Sequence, residues 1–230
     1  MDTHGVALYY SSEMIKVETF VNELMSSNCY ILYDDVTKRC IVIDPGSQYS
    51  KREIDFIDNH KYLLDYVLLT HEHTDHTWGC NALIEYYPTA KVACSEACAK
   101  ELPRVGDIYF RLYYDDPNYH YEVKNVDVFF NAINNKLLWN GMIILIVDTP
   151  GHSIGSISYF LNEYLFTGDA LMMYNPYINK RTGSNIEYRN SIASIIDYSR
   201  KDSLVYPGHG DSFTLNDFKL KYGTIFQKIE

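Results

Sequence analysis

Apolar positions in the first half of the chain come in short dense runs separated by polar breaks. MIKVETF (14–20), NCYILYD (28–34) and RCIVID (39–44) are rich in β-branched and aromatic residues, which fit a pleated surface, so they read as strands. Pro45-Gly46-Ser47 ends the pattern. From Ser50 to His60 the period lengthens. Ile54 and Ile57 fall on one helical face, with Tyr62 beyond, and Ser50 with Glu53 has the form of a capping box. DYVLLT (65–70) is then a buried strand, and His76 to Tyr87 a helix stopped by Pro88. KVACS is a short strand before a helix from Glu96 to Leu102. The second half reads as strands VDVFF, KLLW, MIILIVDT, SISYFL and YLFTGD, a helix from Ser191 to Arg200, the strand SLVYP, and an amphipathic helix from Asn216 to Ile229.

Between the halves, Pro103 to Val123 carries Tyr109, Phe110, Tyr113, Tyr114, Tyr119 and Tyr121 without a clean period. It reads as a surface loop packing its own rings, with a substrate flap or a dimer surface as alternatives. No Gly, Ser or Pro linker divides the chain, so residues 1–230 are expected to form one α/β (α+β) domain. Its two sheets should pack together with helices outside and loops gathered at one edge.

The apolar fraction of 47% and charged fraction of 22% are those of a folded globular chain. The formal charge of −10 repels phosphate backbones and counts against nucleic acid as a partner. The start, MDTHGVALYYSSEM, has neither the basic beginning nor the apolar core of a signal peptide. The run MIILIV (142–147) is far short of the ~20 residues that cross a bilayer, so no membrane association and a cytoplasmic location are expected. Five cysteines, an odd number, fit a reducing compartment. Cys94 and Cys98 have no second pair to complete a structural zinc site, and they read as buried free thiols. Oligomeric state is not legible.

Chemistry concentrates in LLTHEHTDH (68–76). The chain has eight histidines, yet His71, His73 and His76 crowd this stretch beside Asp75. In extended or turning backbone, residues two apart project to one side, so His71 and His73 can face one ion while Asp75 and His76 reach a second. Three later fragments repeat the theme: TPGHS (149–153), TGDA (167–170) and YPGHG (206–210) each place His152, Asp169 or His209 just after an apolar strand, beside a glycine that lets the backbone turn sharply. His4, His60 and His120 lack that setting and read as surface or structural residues.

In order and spacing, THxHxDH at 70–76 followed by His152, Asp169 and His209 resembles the metallo-β-lactamase superfamily, and CIVIDPG (40–46) is similar to that family's opening motif. The resemblance implies a four-layer αβ/βα sandwich with metals at the edge shared by two mixed sheets. It also implies His71, His73 and His152 on a first metal, Asp75, His76 and His209 on a second, and Asp169 bridging both. Asp75 and Asp169 are the carboxylates it assigns to catalysis. Two divalent cations a few ångströms apart would lower the pKa of a shared water from about 15.7 to about 7, giving hydroxide that attacks a carbonyl. Zinc is the default for these ligands, and iron or manganese suits the same set. Asp44 is either a partner for a ligand histidine or a cap of its own turn.

The nearest similarity is to glyoxalase II-like thioesterases, which implies a hydrolase acting on the ester, thioester or lactone carbonyl of a small molecule. The largest class of zinc β-lactamases carries cysteine where Asp169 stands, and flavodiiron proteins carry glutamate at the position of His73. Nuclease branches usually add a domain or an exosite arm. Glyoxalase II-like enzymes hold glutathione with a helical C-terminal domain, whereas only a short stretch follows His209 here, a departure that counts against glutathione thioesters and leaves the metal chemistry intact. Tyr174, Lys180 and Arg181, in the segment after Asp169 where family members build a substrate wall, are candidate substrate contacts. Lys180, Arg181 and the nearby Arg189 are equally readable as a solvated basic surface. Three alternatives stand beside the hydrolase: a mononuclear iron-dependent thiol or persulfide dioxygenase; a serine hydrolase built on GHSIG (151–155) with Ser153, Asp169 and His209; and a non-catalytic metal-binding module.

Overall fold

The computed structural model describes residues 15–103 and 120–226. His4 and the ring-rich positions 109–119 lie outside them. Two six-stranded sheets face each other. The first runs in the order β1 (Ile15–Val21), β2 (Asn28–Asp34), β3 (Arg39–Ile43), β4 (Leu63–Leu68), β5 (Lys91–Ser95) and β6 (Val128–Phe130). β1, β2 and β3 pair antiparallel, and β3 to β6 pair parallel. The second sheet runs from β12 (Phe213–Thr214) through β11 (Leu204–Pro207), β10 (Tyr164–Gly168), β9 (Ile157–Leu161) and β8 (Met142–Asp148) to β7 (Lys136–Trp139). All its pairs are antiparallel except β10 with β11.

Period-two alternation explains why the strands read as unbroken apolar runs. In β2, Tyr30 and Leu32 point into the seam between the sheets, while Cys29 and Ile31 point outward under the helices; Ile41 and Ile43 of β3 alternate with Cys40 and Val42 in the same way. Both faces are buried, so no polar alternation marks these strands. Facing them from the second sheet are Trp139, Ile144, Tyr159 and Phe166. Tyr159 also donates its hydroxyl to the Leu69 carbonyl at 2.8 Å, joining the sheets beside the end of β4. The outer face of the first sheet is covered by α1 (Lys51–His60), α3 (Cys80–Tyr86) and α4 (96–103) through Ile57, Leu83, Cys98 and Leu102. That of the second is covered by α5 (Asn185–Tyr198) and α6 (Leu215–Phe226) through Ile192, Ile195 and Phe218. This is the four-layer αβ/βα sandwich. All five cysteines are buried and free. No helix among the described residues is long and apolar enough to cross a membrane.

Four local expectations need correction. Ser50 does not cap α1. It sits in the left-handed region (φ 43°), and its hydroxyl lies 3.4 Å from the Ser47 and Gly79 carbonyls instead of reaching back to the helix. Glu53 is fully buried, neither carboxylate oxygen has a hydrogen-bond partner among the described residues, and burial raises its pKa. The single helix expected from His76 to Tyr87 is two: α2 (Thr74–Thr77) and α3, broken at Trp78-Gly79. Gly79 donates its N–H to the Pro45 carbonyl at 2.7 Å, and a Cβ there would stand 2.1 Å from the Ser50 hydroxyl. The helix expected from Ser191 begins at Asn185, where Ser184 accepts from the Glu187 N–H. Within 103–123, Tyr121 is buried and donates its hydroxyl to the Thr77 carbonyl, packing inward rather than lying on the surface.

Candidate metal centre

Every loop that carries a singled-out histidine or aspartate emerges at one edge of the seam. β4 ends at Leu68, and Thr70 to His76 turn from it into α2. Thr149 to Ser156 join β8 to β9, Asp169 follows β10, and His209 follows β11. Two adjacent clusters result. In the first, His73 Nδ1 lies 3.1 Å from His71 Nε2 and 3.0 Å from His152 Nε2. In the second, Asp75 Oδ2 lies 3.3 Å from His209 Nε2 and 3.6 Å from His76 Nε2. Asp169 stands between them: Oδ2 is 3.2 Å from His152 Nε2 and 3.6 Å from His209 Nε2, while Oδ1 is 3.5 Å from His76 Nε2.

These groups fit divalent cations. Donors each about 2.0–2.1 Å from a tetrahedral ion stand about 3.3 Å from one another, close to the spacing of the three imidazole nitrogens. His76 Nε2 and Asp169 Oδ1 are buried without a hydrogen-bond partner among the described residues, which is costly unless a cation completes them. Burial drives the His71 pKa well below its usual value and that of His152 down to about 4, so both rings are neutral and have lone pairs to offer. For His76, burial is outweighed by the Asp75, Asp169 and Asp44 carboxylates, which lift it to about 10: the pocket carries more negative charge than its histidines offset. Burial opposes ionisation of Asp75 too, but His76 and His209 hold its carboxyl well below the usual range.

The histidines are aimed from behind. Asp44, at the end of β3 with φ 54°, accepts from the Thr70 N–H (2.7 Å) and hydroxyl (2.6 Å), and from His76 Nδ1 at 2.9 Å. Its side chain is a histidine partner and does not cap its own turn. With the Thr70 hydroxyl committed to Asp44, its oxygen takes the proton of His71 Nδ1 at 3.0 Å. Both rings thus present Nε2 to the pocket. A third arrangement of ligand-capable atoms, Asp44 with His71 and His76, is this same relay seen from its far side. Thr70 directly precedes His71 in the motif at 70–76, and only its contacts with Asp44 and His71 show its role.

His209 is held by contacts that no local pattern announces. Asn28 donates its backbone N–H to the Gly208 carbonyl at 2.7 Å and its side-chain amide to the Pro207 and Gly210 carbonyls. Ser27 pairs with His209 as an isolated bridge and donates its hydroxyl to the Asp75 carbonyl. Gly208 must be glycine, because a Cβ would stand 2.0 Å from Asp169 Oδ1.

Of the candidate substrate contacts, Tyr174 is half exposed at the rim, its ring edge 3.8 Å from where a Gly210 Cβ would be. Its phenol pKa is raised by burial and by the charges of Asp169 and Asp75. Lys180 and Arg181 are exposed in a turn closed by the Gly183 N–H on the Asn179 carbonyl at 2.7 Å, and Arg189 is exposed on α5. That turn flanks the His152 loop, for a Gly183 Cβ would meet the Gly151 and His152 carbonyls, but among the described residues none of the three cations pairs with a residue of the clusters. Ser153 is fully buried and donates to Glu72 Oε2 at 2.9 Å, not to His209 or Asp169, and strand β9 follows the loop where a nucleophile elbow needs a helix. The serine-hydrolase arrangement is therefore absent.

Comparison with known proteins agrees with this geometry. The family model described as the metallo-beta-lactamase superfamily matches residues 23–209. The chain is 28% identical over 215 residues to a probable metallo-hydrolase of Streptococcus pyogenes, covering 90% of this chain and 89% of that protein. It is 33% identical over 153 residues to a hydroxyacylglutathione hydrolase of Buchnera aphidicola, covering 66% of this chain and 50% of that protein. Among solved structures, the BLEG-1 B3 metallo-β-lactamase superposes with a TM-score of 0.81 at 22% identity, over 92% of this chain and 99% of that one, a likeness of fold. The chain belongs to the metallo-β-lactamase superfamily, in its glyoxalase II-like branch.

Proposed function

We propose that this protein is a binuclear metallohydrolase that opens the ester, thioester or lactone carbonyl of a small molecule. The observation that carries the reading is the Asp169 carboxylate, whose two oxygens reach His152 on one side and His76 and His209 on the other. His71, His73 and His152 would hold one divalent cation, Asp75, His76 and His209 a second, with Asp169 shared. Zinc is the first expectation for these donors. When bound, two such ions supply Lewis acidity that polarises a carbonyl oxygen and makes water a nucleophile at neutral pH.

The chain's own residues do the rest. Asp44 and Thr70 orient the imidazoles of His76 and His71, so the donors are set before a substrate arrives. Asp75 and Asp169 place negative charge beside the reacting centre and offset that of the cations. Tyr174 at the rim is positioned to border a substrate, and Lys180 and Arg181 would attract one bearing a carboxylate. The relative named hydroxyacylglutathione hydrolase supports a thioester among the candidates.

The test is elemental analysis of the purified protein, followed by a thioester, lactone and phosphodiester panel with the metallated form. Two divalent ions per chain, carbonyl hydrolysis abolished by EDTA and no labelling by a fluorophosphonate are expected. One iron per chain with oxidation of a thiol or persulfide would overturn the reading in favour of the dioxygenase. Full metallation with no turnover on any substrate would overturn it in favour of a binding module.

A further inference from the structure

The histidines of the first cluster are not all secured in the same way. His71 is fixed through Nδ1 by Thr70. His152 has no such support: its Nδ1 is buried and has no hydrogen-bond partner among the described residues. A ring unanchored at its far nitrogen keeps its aim only if its backbone and surroundings hold it. The loop that carries it is closed on itself, with the Thr149 N–H on the Ser156 carbonyl at 3.0 Å and the Gly151 N–H on the Ser153 carbonyl at 3.1 Å. Closure alone does not place the loop against His71 and His73, which come from the other sheet.

Two contacts do. The Ile157 N–H donates to the Thr70 carbonyl at 2.9 Å, and the Ser153 hydroxyl donates to Glu72 Oε2 at 2.9 Å. Ser153 is fully buried and Glu72 almost so. The loop lies directly on this carboxylate: a Cβ at Gly155 would stand 2.4 Å from Glu72 Oε2 and 2.5 Å from Cys98 Cα. Behind it, Ser95 donates its hydroxyl to the Gly155 carbonyl at 2.8 Å and accepts the Cys98 N–H at 2.9 Å. Side chains alternate along extended backbone, so residues 71 and 73 face the pocket and 72 faces away from it, toward the loop.

We propose that Glu72 is the positioning residue for His152: its carboxylate holds Ser153, and through Ser153 the loop that aims His152 at His71 and His73. The inference rests on reading the site as a metal centre. It assigns Glu72 to the first pocket alone, because His76 is secured by Asp44 and the His209 loop by Asn28.

The experiment titrates metal-free protein with zinc against a chromogenic chelator, counting ions and measuring the affinity of each. His152→Ala identifies which ion belongs to the first pocket. Glu72→Ala is expected to weaken that same ion by about 10- to 100-fold and leave the other as in the unaltered protein. Glu72→Gln, which keeps an oxygen facing Ser153, is expected to restore it, and Ser153→Ala to weaken it. Should Glu72→Ala fail to fold, Glu72→Gln and Ser153→Ala decide the matter by the same readout. Unchanged affinities in both Glu72→Ala and Ser153→Ala, or equal weakening of both ions, would overturn the proposal. If the unaltered protein binds no zinc, the metal-centre reading itself falls and takes this one with it; if it binds two, only the variants bear on Glu72.

Discussion

Asp44 and His76, 32 positions apart in the chain, meet at 2.9 Å, and the same carboxylate oxygen takes the Thr70 hydroxyl at 2.6 Å. One side chain thereby orients His76 directly and His71 through Thr70. Asp44→Ala is accordingly expected to lose about 10- to 100-fold in metal affinity or turnover. Zinc competition on the folded variant, with its fold checked by circular dichroism, measures this. An affinity equal to that of the unaltered protein would remove Asp44 from the site.

Gly168 tests the same relay from the opposite sheet. Its φ is 49°, and a Cβ there would stand 2.4 Å from the Thr70 hydroxyl oxygen. Gly168→Ala should destabilise the protein by about 1–3 kcal/mol through backbone strain. It should also weaken metal binding by displacing Thr70. Denaturant unfolding of the metal-free protein separates the first effect from the second.

How much of this was legible beforehand depended on how local the cause was. Strands such as β2 and β3 are buried on both faces, and their apolar runs were plain. Ser50-x-x-Glu53 and Ser184-x-x-Glu187 are the same pattern, yet only Ser184 caps a helix, because the Ser50 hydroxyl lies against carbonyls from Ser47 and Gly79. The break between α2 and α3 likewise depends on Pro45, far from Gly79 in sequence. Histidines and aspartates after strands could be singled out from spacing alone. Ser27, Asn28 and Glu72, which hold those loops, make their contacts across the fold and carry no motif. For Glu72 alternation was the available signal.

Glu53 carries a pH dependence of its own outside the candidate metal pocket. Burial raises its carboxyl above its usual 4.5, so between 4.5 and that raised value the unfolded chain releases a proton that the folded chain keeps. The folded state binds more protons, and stability falls as pH rises through this window. Glu53→Gln is expected to raise the melting temperature at pH 7.5, with the gain gone at pH 4. A gain equal at both pH values would show that the charge is not responsible.

Lys180 and Arg181 stand exposed in the turn beside the His152 loop. If they attract a substrate carboxylate, the double variant Lys180→Ala, Arg181→Ala raises KM for an acidic substrate several-fold and leaves kcat near its starting value, because exposed charge pairs contribute about 0.2–1 kcal/mol each. An unchanged KM would remove both from substrate binding.

The candidate ligands are divided between the halves of the sandwich: His71, His73, Asp75 and His76 hang from one sheet, His152, Asp169 and His209 from the other. A cation gripped by both is a rivet through the seam. Prising the layers apart must release it, so occupancy and cohesion rise and fall together, and a chain with only one layer assembled has half a grip and nothing to close it on.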